Sequence, residues 1–134
     1  MKTLILYDLI LDNSRPDEID TLEEIEAIEA ALDELGIAHA RAEFSSDLAA
    51  MQRIIGDSDV DFVFNMVESV DGRGMLIALA PLLFDLAGMS YTGNSADAMN
   101  ITSNKIVAKR IMDAAGIPTA PWFVCGAEPE RGTG

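Results

Sequence analysis

Two hydrophobic rhythms alternate along this chain, and that alternation restricts the fold more than any other feature. Thr3–Tyr7 (TLILY) is a short continuous apolar run, the pattern of a strand buried on both faces. DNSRPDE follows with helix-start signals: Asn13 or Ser14 as cap, Pro16 for the first turn, and Asp17, Glu18 and Asp20 near the positive end of the helix dipole. Ile19, Leu22, Ile25, Ile28, Leu32 and Leu35 then recur every three or four residues until Gly36. The two rhythms repeat downstream. Strands are expected over 37–42, 60–67 (VDFVFNMV), MSYTG and 120–125 (APWFVC). Between them lie a short helix near 47–55, a mostly buried helix over 75–87 that Pro81 kinks or splits, and a turn or short helix at 95–99. A last helix begins at Thr102 or Ser103 and ends at Gly116.

Strands alternating with helices predict an α/β protein, a Rossmann-like open sandwich around a mostly parallel sheet with right-handed crossovers. Ligands of such sheets sit beyond the carboxyl ends of the strands. Three stretches should share that edge: 8–17, 68–74 and 93–98.

Charge narrows the function. The 134 residues carry a net charge of −14, with nine acids and no base between Asp17 and Glu34, which reads as a solvated outer face. Nucleic acid is excluded as a general partner, because its phosphates would be repelled at long range. The longest apolar run, Met75–Phe84, is ten residues and contains Pro81, against about 20 needed to span a bilayer. With no membrane segment and no signal-peptide pattern, a cytoplasmic protein is expected. The single cysteine, Cys125, excludes an internal disulfide and any cysteine-based metal spacing, and is expected to be buried and inert. No metal ligands and no catalytic residue are assigned within this stretch. One segment runs against the acidic total. From Ala98 to Met112 there is no acid, and Lys105, Lys109 and Arg110 stand together.

The segments VFNMVESVDGRG and LLFDLAGMSYTGNSADAMNITSNKIVAKRIMDAAGIPTAPWFV resemble the N-terminal, pre-ATP-grasp part of the D-alanine–D-alanine ligase-like branch of the ATP-grasp ligases. The likeness is dense from about Val60 to Val124. It implies that residues 1–117 form the pre-ATP-grasp domain and that 118–134 begin the following domain or linker. Central and C-terminal ATP-grasp domains would follow as partners, gripping ATP and Mg²⁺. In such an enzyme a carboxylate is phosphorylated and the amine of a second small-molecule substrate attacks the acyl phosphate. The family's lysine in the helix after YTG contacts ATP phosphate, and here it is Lys105, with NK in place of the usual DK. Two segments depart from the family pattern. YDLILDNSRPDEID replaces a Gly-rich first loop, and NMVESVDGRG replaces a His-Gly motif. Both favour a carboxylate and an amine other than D-alanine.

Each candidate has a plainer reading beside it. Lys105 is read as the ATP contact, against an ordinary exposed helix lysine. Lys109 shares its face at i+4, yet it and Arg110 also suit the helix C-terminus and an interdomain surface. Glu68 follows a buried strand, where substrate-binding acids belong; Asp71 is read as loop solvation. Gly72 and Gly74 admit close approach of a ligand, or make a plain turn. Asp17 and Glu18 hold a substrate amine, or serve the helix start. His39 and Trp122 read as structural, the latter as core or interdomain packing. As 134 residues alone, the chain should bind neither ATP nor Mg²⁺ tightly and should form no peptide bond. Apolar surface awaiting the other domains should promote self-association, a homodimer included. The alternative from another class is a stand-alone, non-catalytic α/β module that binds a small ligand or docks on a subunit.

Overall fold

The computed structural model describes residues 1–9, 16–57 and 59–125, with the backbone alone for 16–19. Elements run β1 (Lys2–Asp8), α1 (Pro16–Glu34), β2 (Ala38–Phe44), α2 (Leu48–Asp57), β3 (Phe62–Met66), a 3-10 turn (Gly74–Leu76), α3 (Leu79–Ala87), β4 (Ser90–Tyr91), α4 (Ala96–Ser103) and α5 (Lys105–Ala114). The described strands form one all-parallel sheet in the order β2-β1-β3-β4. The α/β open sandwich read from the alternating rhythms is the architecture observed.

β1 lies between two strands with helices over both faces of the sheet, so all five residues of TLILY are buried. Alternation then sends its side chains to opposite layers. Ile5 and Tyr7 pack with Ile25 and Leu32 of α1 and with Phe64 and Met66 of β3. Leu4 and Leu6 pack with Met51 and Ile55 of α2 and with Ala80, Leu83 and Phe84 of α3. Helices thus cover both faces. Ile5, Ile25 and Phe84 are wholly buried, each stabilising the fold by about 1.5–3 kcal/mol relative to exposure. Phe84 also meets the Tyr91 ring with centroids 5.1 Å apart, tying α3 to β4. Gly36 closes α1 at φ 66°, where the Ile37 amide reaches back to the Leu32 carbonyl at 2.9 Å.

Four details differ from the sequence reading. The helix over 75–87 splits, but Pro81 does not break it. A 3-10 turn ends at Leu76, α3 restarts at Leu79, and Pro81 sits in that first turn, where no carbonyl needs its missing N–H. Nor is this helix mostly buried: Leu82 and Leu86 are 56% and 75% exposed, and Met75 is 76% exposed. Neither Thr102 nor Ser103 starts the basic helix. Their hydroxyls donate back to Ala98 O and Asn100 O and finish α4, while the Asn104 carboxamide caps α5 by accepting from Ile106 N at 3.1 Å and Val107 N at 3.2 Å. Finally, 120–125 is not a strand and pairs with none of the four strands of the sheet. It is a strap held to α5 by side chains. Lys109 Nζ donates to Thr119 Oγ1 and to Ala120 O at 3.2 Å, and Trp122 Nε1 donates to Asp113 Oδ2 at 3.0 Å.

Candidate functional site

The chain goes from β1 outward to β2, then crosses back to lay β3 on the other side of β1. Between β1 and β3 the crossovers leave in opposite directions, which opens a crevice at their carboxyl ends. Asp8 stands there, at the end of β1. Its carboxylate accepts from Glu68 N at 2.8 Å, from Ser69 N at 3.1 Å and from Ser69 Oγ at 2.6 Å. The loop after β3 is therefore clamped across the crevice by three charge-assisted hydrogen bonds. Beyond the clamp, Val70 and Arg73 bond to each other in a tight turn whose central residues, Asp71 and Gly72, have φ of 50° and 71°. Two successive left-handed residues are the requirement of a type I′ turn, and Asp-Gly meets it. The Asp71 carboxylate faces the end of β2, 3.4 Å from Ser46 N. At the other end of the rim, Thr92 Oγ1 accepts from Asn65 N at 2.9 Å.

These contacts gather the ends of all four described strands into one rim. Glu68 is on it, exposed, its carboxylate without a hydrogen bond or ion pair among the described residues. Asp8 has spent three acceptor positions on the frame, whereas the exposed Glu68 carboxylate has no described partner. Gly72 is held by the type I′ turn. Gly74 begins the 3-10 turn, and a Cβ there would meet only Glu68 O at an ordinary 3.9 Å. Asp17 and Glu18 fall in the first turn of α1, with side chains outside the described residues.

Lys105 is the first residue of α5 and exposed, with no side-chain hydrogen bond or ion pair among the described residues. It lines an open cleft of about 450 Å³ together with Met75, Asn100, Ser103 and Asn104. Met75 directly follows Gly74, so the cleft borders the loop that carries Glu68 and the Asp-Gly turn. A cation at a helix N-terminus opposes the dipole and gains nothing for the helix. The Asn104 carboxamide already takes the Ile106 and Val107 amides, so an anion here would meet the Lys105 ammonium rather than those amides. Lys109 shares the helix but not the task, being committed to the strap.

Other candidates resolve simply. His39 Nδ1 lies 3.3 Å from Ile37 O and 3.8 Å from Asp33, a local contact on β2. Cys125 is exposed rather than buried, because the segment carrying it joins no sheet. Among the described residues no three His, Cys, Asp or Glu side chains converge on a metal position, and no helix is long and apolar enough to cross a membrane. Sequence reasoning missed Asp8 as the clamp. The signal was present: Asp8 is the first charged residue after an apolar strand at the edge where loops meet.

No protein-family model matches the chain. Among curated proteins, the D-alanine–D-alanine ligase of Gloeobacter violaceus is 32% identical over 105 residues, covering 78% of this chain and 32% of the ligase. The D-alanine–D-alanine ligase of Moorella thermoacetica is 32% identical over 108 residues, 81% of this chain and 33% of the ligase. An uncharacterized protein of Sinorhizobium fredii is 33% identical over 57 residues, 42% of this chain and 17% of that protein. The chain spans about a third of the two ligases it matches. The likeness is a distant, ligase-like one, extending over some four-fifths of this chain.

Proposed function

We propose that these residues act as the N-terminal, ATP- and substrate-contacting domain of an ATP-dependent carboxylate–amine ligase. The observation that carries this reading is the likeness to two D-alanine–D-alanine ligases over 78% and 81% of the chain. In this reading Lys105 meets ATP phosphate, and the rim with Glu68, Gly72 and Gly74 meets a substrate; Asp17 and Glu18 are further candidates for a substrate amine. Residues 1–117 form the domain, and the segment from 118 leads into the next one. The exposed apolar residues Ile106, Val107, Ile111 and Phe123 lie on α5 and its strap, beside that exit. They provide the surface on which central and C-terminal ATP-grasp domains pack.

The residues present fit ATP in part. One unpaired ammonium at a helix N-terminus offers a single strong contact to a triphosphate, while the net charge of −14 opposes the rest. Nucleotide binding therefore needs the other domains. The described residues supply no cluster of acids for Mg²⁺, whose ligands would come from the phosphates and from those domains. When bound, ATP supplies the phosphoryl group that turns a carboxylate into an acyl phosphate. The amine nitrogen then attacks the carbonyl carbon and inorganic phosphate leaves. This chain's part is to hold the phosphate at Lys105 and to position a substrate on the rim.

Hydroxylamine trapping tests the reading. The product of the complete reading frame, given ATP, Mg²⁺ and a panel of amino-acid carboxylates, should yield a hydroxamate together with ADP. A folded protein that binds no nucleotide and forms no hydroxamate with any panel member would overturn it.

A further inference from the structure

The cleft that holds Lys105 continues past it. Met75 and Asn100 also line a second cleft, of about 340 Å³, so the two open into one channel between the 3-10 turn with α3 and the α4–α5 pair. Its walls are mainly apolar: Leu76, Leu79 and Leu82 along one part, Ile101, Ile106 and Val107 along the other. Met75 and Leu82, which the core leaves exposed, lie along it. Each part has a single ionisable lining residue, Asp97 in the first and Lys105 in the second, and Asn100 stands where the parts meet. The side chains of these three are exposed and lack a hydrogen bond or ion pair among the described residues. An apolar channel with a few separated polar groups is the usual form of a small-molecule site.

We propose that this channel binds a short, uncharged-side-chain peptide: its ammonium at Asp97, a peptide bond against the Asn100 carboxamide, its terminal carboxylate at Lys105. Charge fixes the direction, since the acid and the base stand at opposite ends. The carboxamide offers both a donor and an acceptor, as a peptide bond does. Length fits as well. From Asp97 to the end of α4 at Ser103 the helix rises about 9 Å, and Lys105 lies beyond it; three extended residues span about 10 Å. A zwitterion also carries no net charge, so the field of a −14 chain does not repel it as it repels a simple anion. A peptide held this way presents its carboxylate to the phosphate that Lys105 meets, which makes it the carboxylate substrate and leaves the rim at Glu68 for the amine. That last role rests on the ligase reading, whereas the binding site itself does not.

Titration of the 134-residue chain with L-alanyl-L-leucyl-L-alanine, followed by amide NMR spectra that also report the fold, tests the site. The series runs to about 20 mM, because an open channel with two exposed charges gives millimolar affinity. Shifts should gather at 75–82 and 96–107. The N-acetylated peptide and the peptide amide should each bind about threefold to fivefold more weakly. Asp97→Asn should weaken the free peptide by the same factor and leave the acetylated one unchanged; Lys105→Ala should do so for the free peptide and not for the amide. Unmoved channel amides, an acetylated peptide that binds as well as the free one, or 8-aminooctanoate (both charges, no amide) binding as tightly would each overturn the site, whatever the hydroxylamine assay gives. With the complete reading frame, hydroxylamine trapping should yield a peptidyl hydroxamate. Hydroxamate from single amino acids alone would overturn the substrate role and leave the ligase reading standing.

Discussion

Replacing Asp8 by Ala removes the clamp that joins β1 to the loop after β3, and its cost can be worked out. The carboxylate accepts two amides and one hydroxyl, at 2.8, 3.1 and 2.6 Å. A hydrogen bond to a charged group contributes about 1.5–3 kcal/mol when its partner is left unsatisfied. Glu68 N is in an exposed place, so water takes over that bond at little cost. Ser69 N and Oγ are half-buried and recover less. The loss should be about 2–3 kcal/mol. For a domain of this size 1 kcal/mol corresponds to about 4 °C in Tm, so the melt should fall by about 10 °C. Asp8→Asn keeps an oxygen for the amides and can donate to Ser69 Oγ, and should cost about 1 kcal/mol, as should Ser69→Ala. Urea denaturation with a common m-value, alongside thermal melts, reads all three. If Asp8→Ala lies within 0.5 kcal/mol of wild type, the clamp does not hold the rim and the geometry proposed for Glu68 loses its support.

Three further outcomes are expected. Asn104→Ala should destabilise by about 1 kcal/mol and lower the far-UV helix signal, since two amides of α5 lose their cap; an unchanged signal would contradict the capping account. Lys109→Ala should release the strap while costing less than about 1 kcal/mol globally. Trp122 is the single tryptophan, so its emission should shift to the red, and an unmoved spectrum would contradict the tether. Tyr7 should make stability fall at alkaline pH. Burial, with Glu43 and Glu29 nearby and Arg41 opposing them, raises its hydroxyl above the ordinary range near 10. The folded state thus holds the proton more tightly. That contribution is fully present below the unfolded value and is lost as pH rises through the folded one. Between pH 8 and 11, Tyr7→Phe should lose less stability than wild type; parallel profiles would refute the assignment.

The core was legible because it rests on periodicity. TLILY and the stripe from Leu22 to Leu32 each had one way to satisfy both backbone and burial, and they define β1, α1 and the layers. What sequence could not show depended on neighbours. WFV in 120–125 has strand composition, but a strand needs an edge to pair with, and Lys109 and Asp113 hold the segment elsewhere. The leucines of α3 looked like core residues because hydrophobicity does not report which side of a helix lacks a partner. Of the site, the edge that gathers 68–74 with the end of β1 was readable from topology alone. The polar partners were not: that Asp8 rather than Glu68 holds the loop, and that Lys109 rather than Lys105 ties the strap, depends on which groups each side chain meets in space.

The central claim is that Lys105 serves a phosphate. Its most direct test is calorimetric titration of a non-hydrolysable ATP analogue, with Mg²⁺, into the product of the complete reading frame and into its Lys105→Ala and Lys109→Ala variants. Loss of a charge-assisted contact at a desolvated phosphate predicts affinity weaker by at least about tenfold for Lys105→Ala, with Lys109→Ala close to wild type. Equal affinity in wild type and Lys105→Ala would contradict the claim.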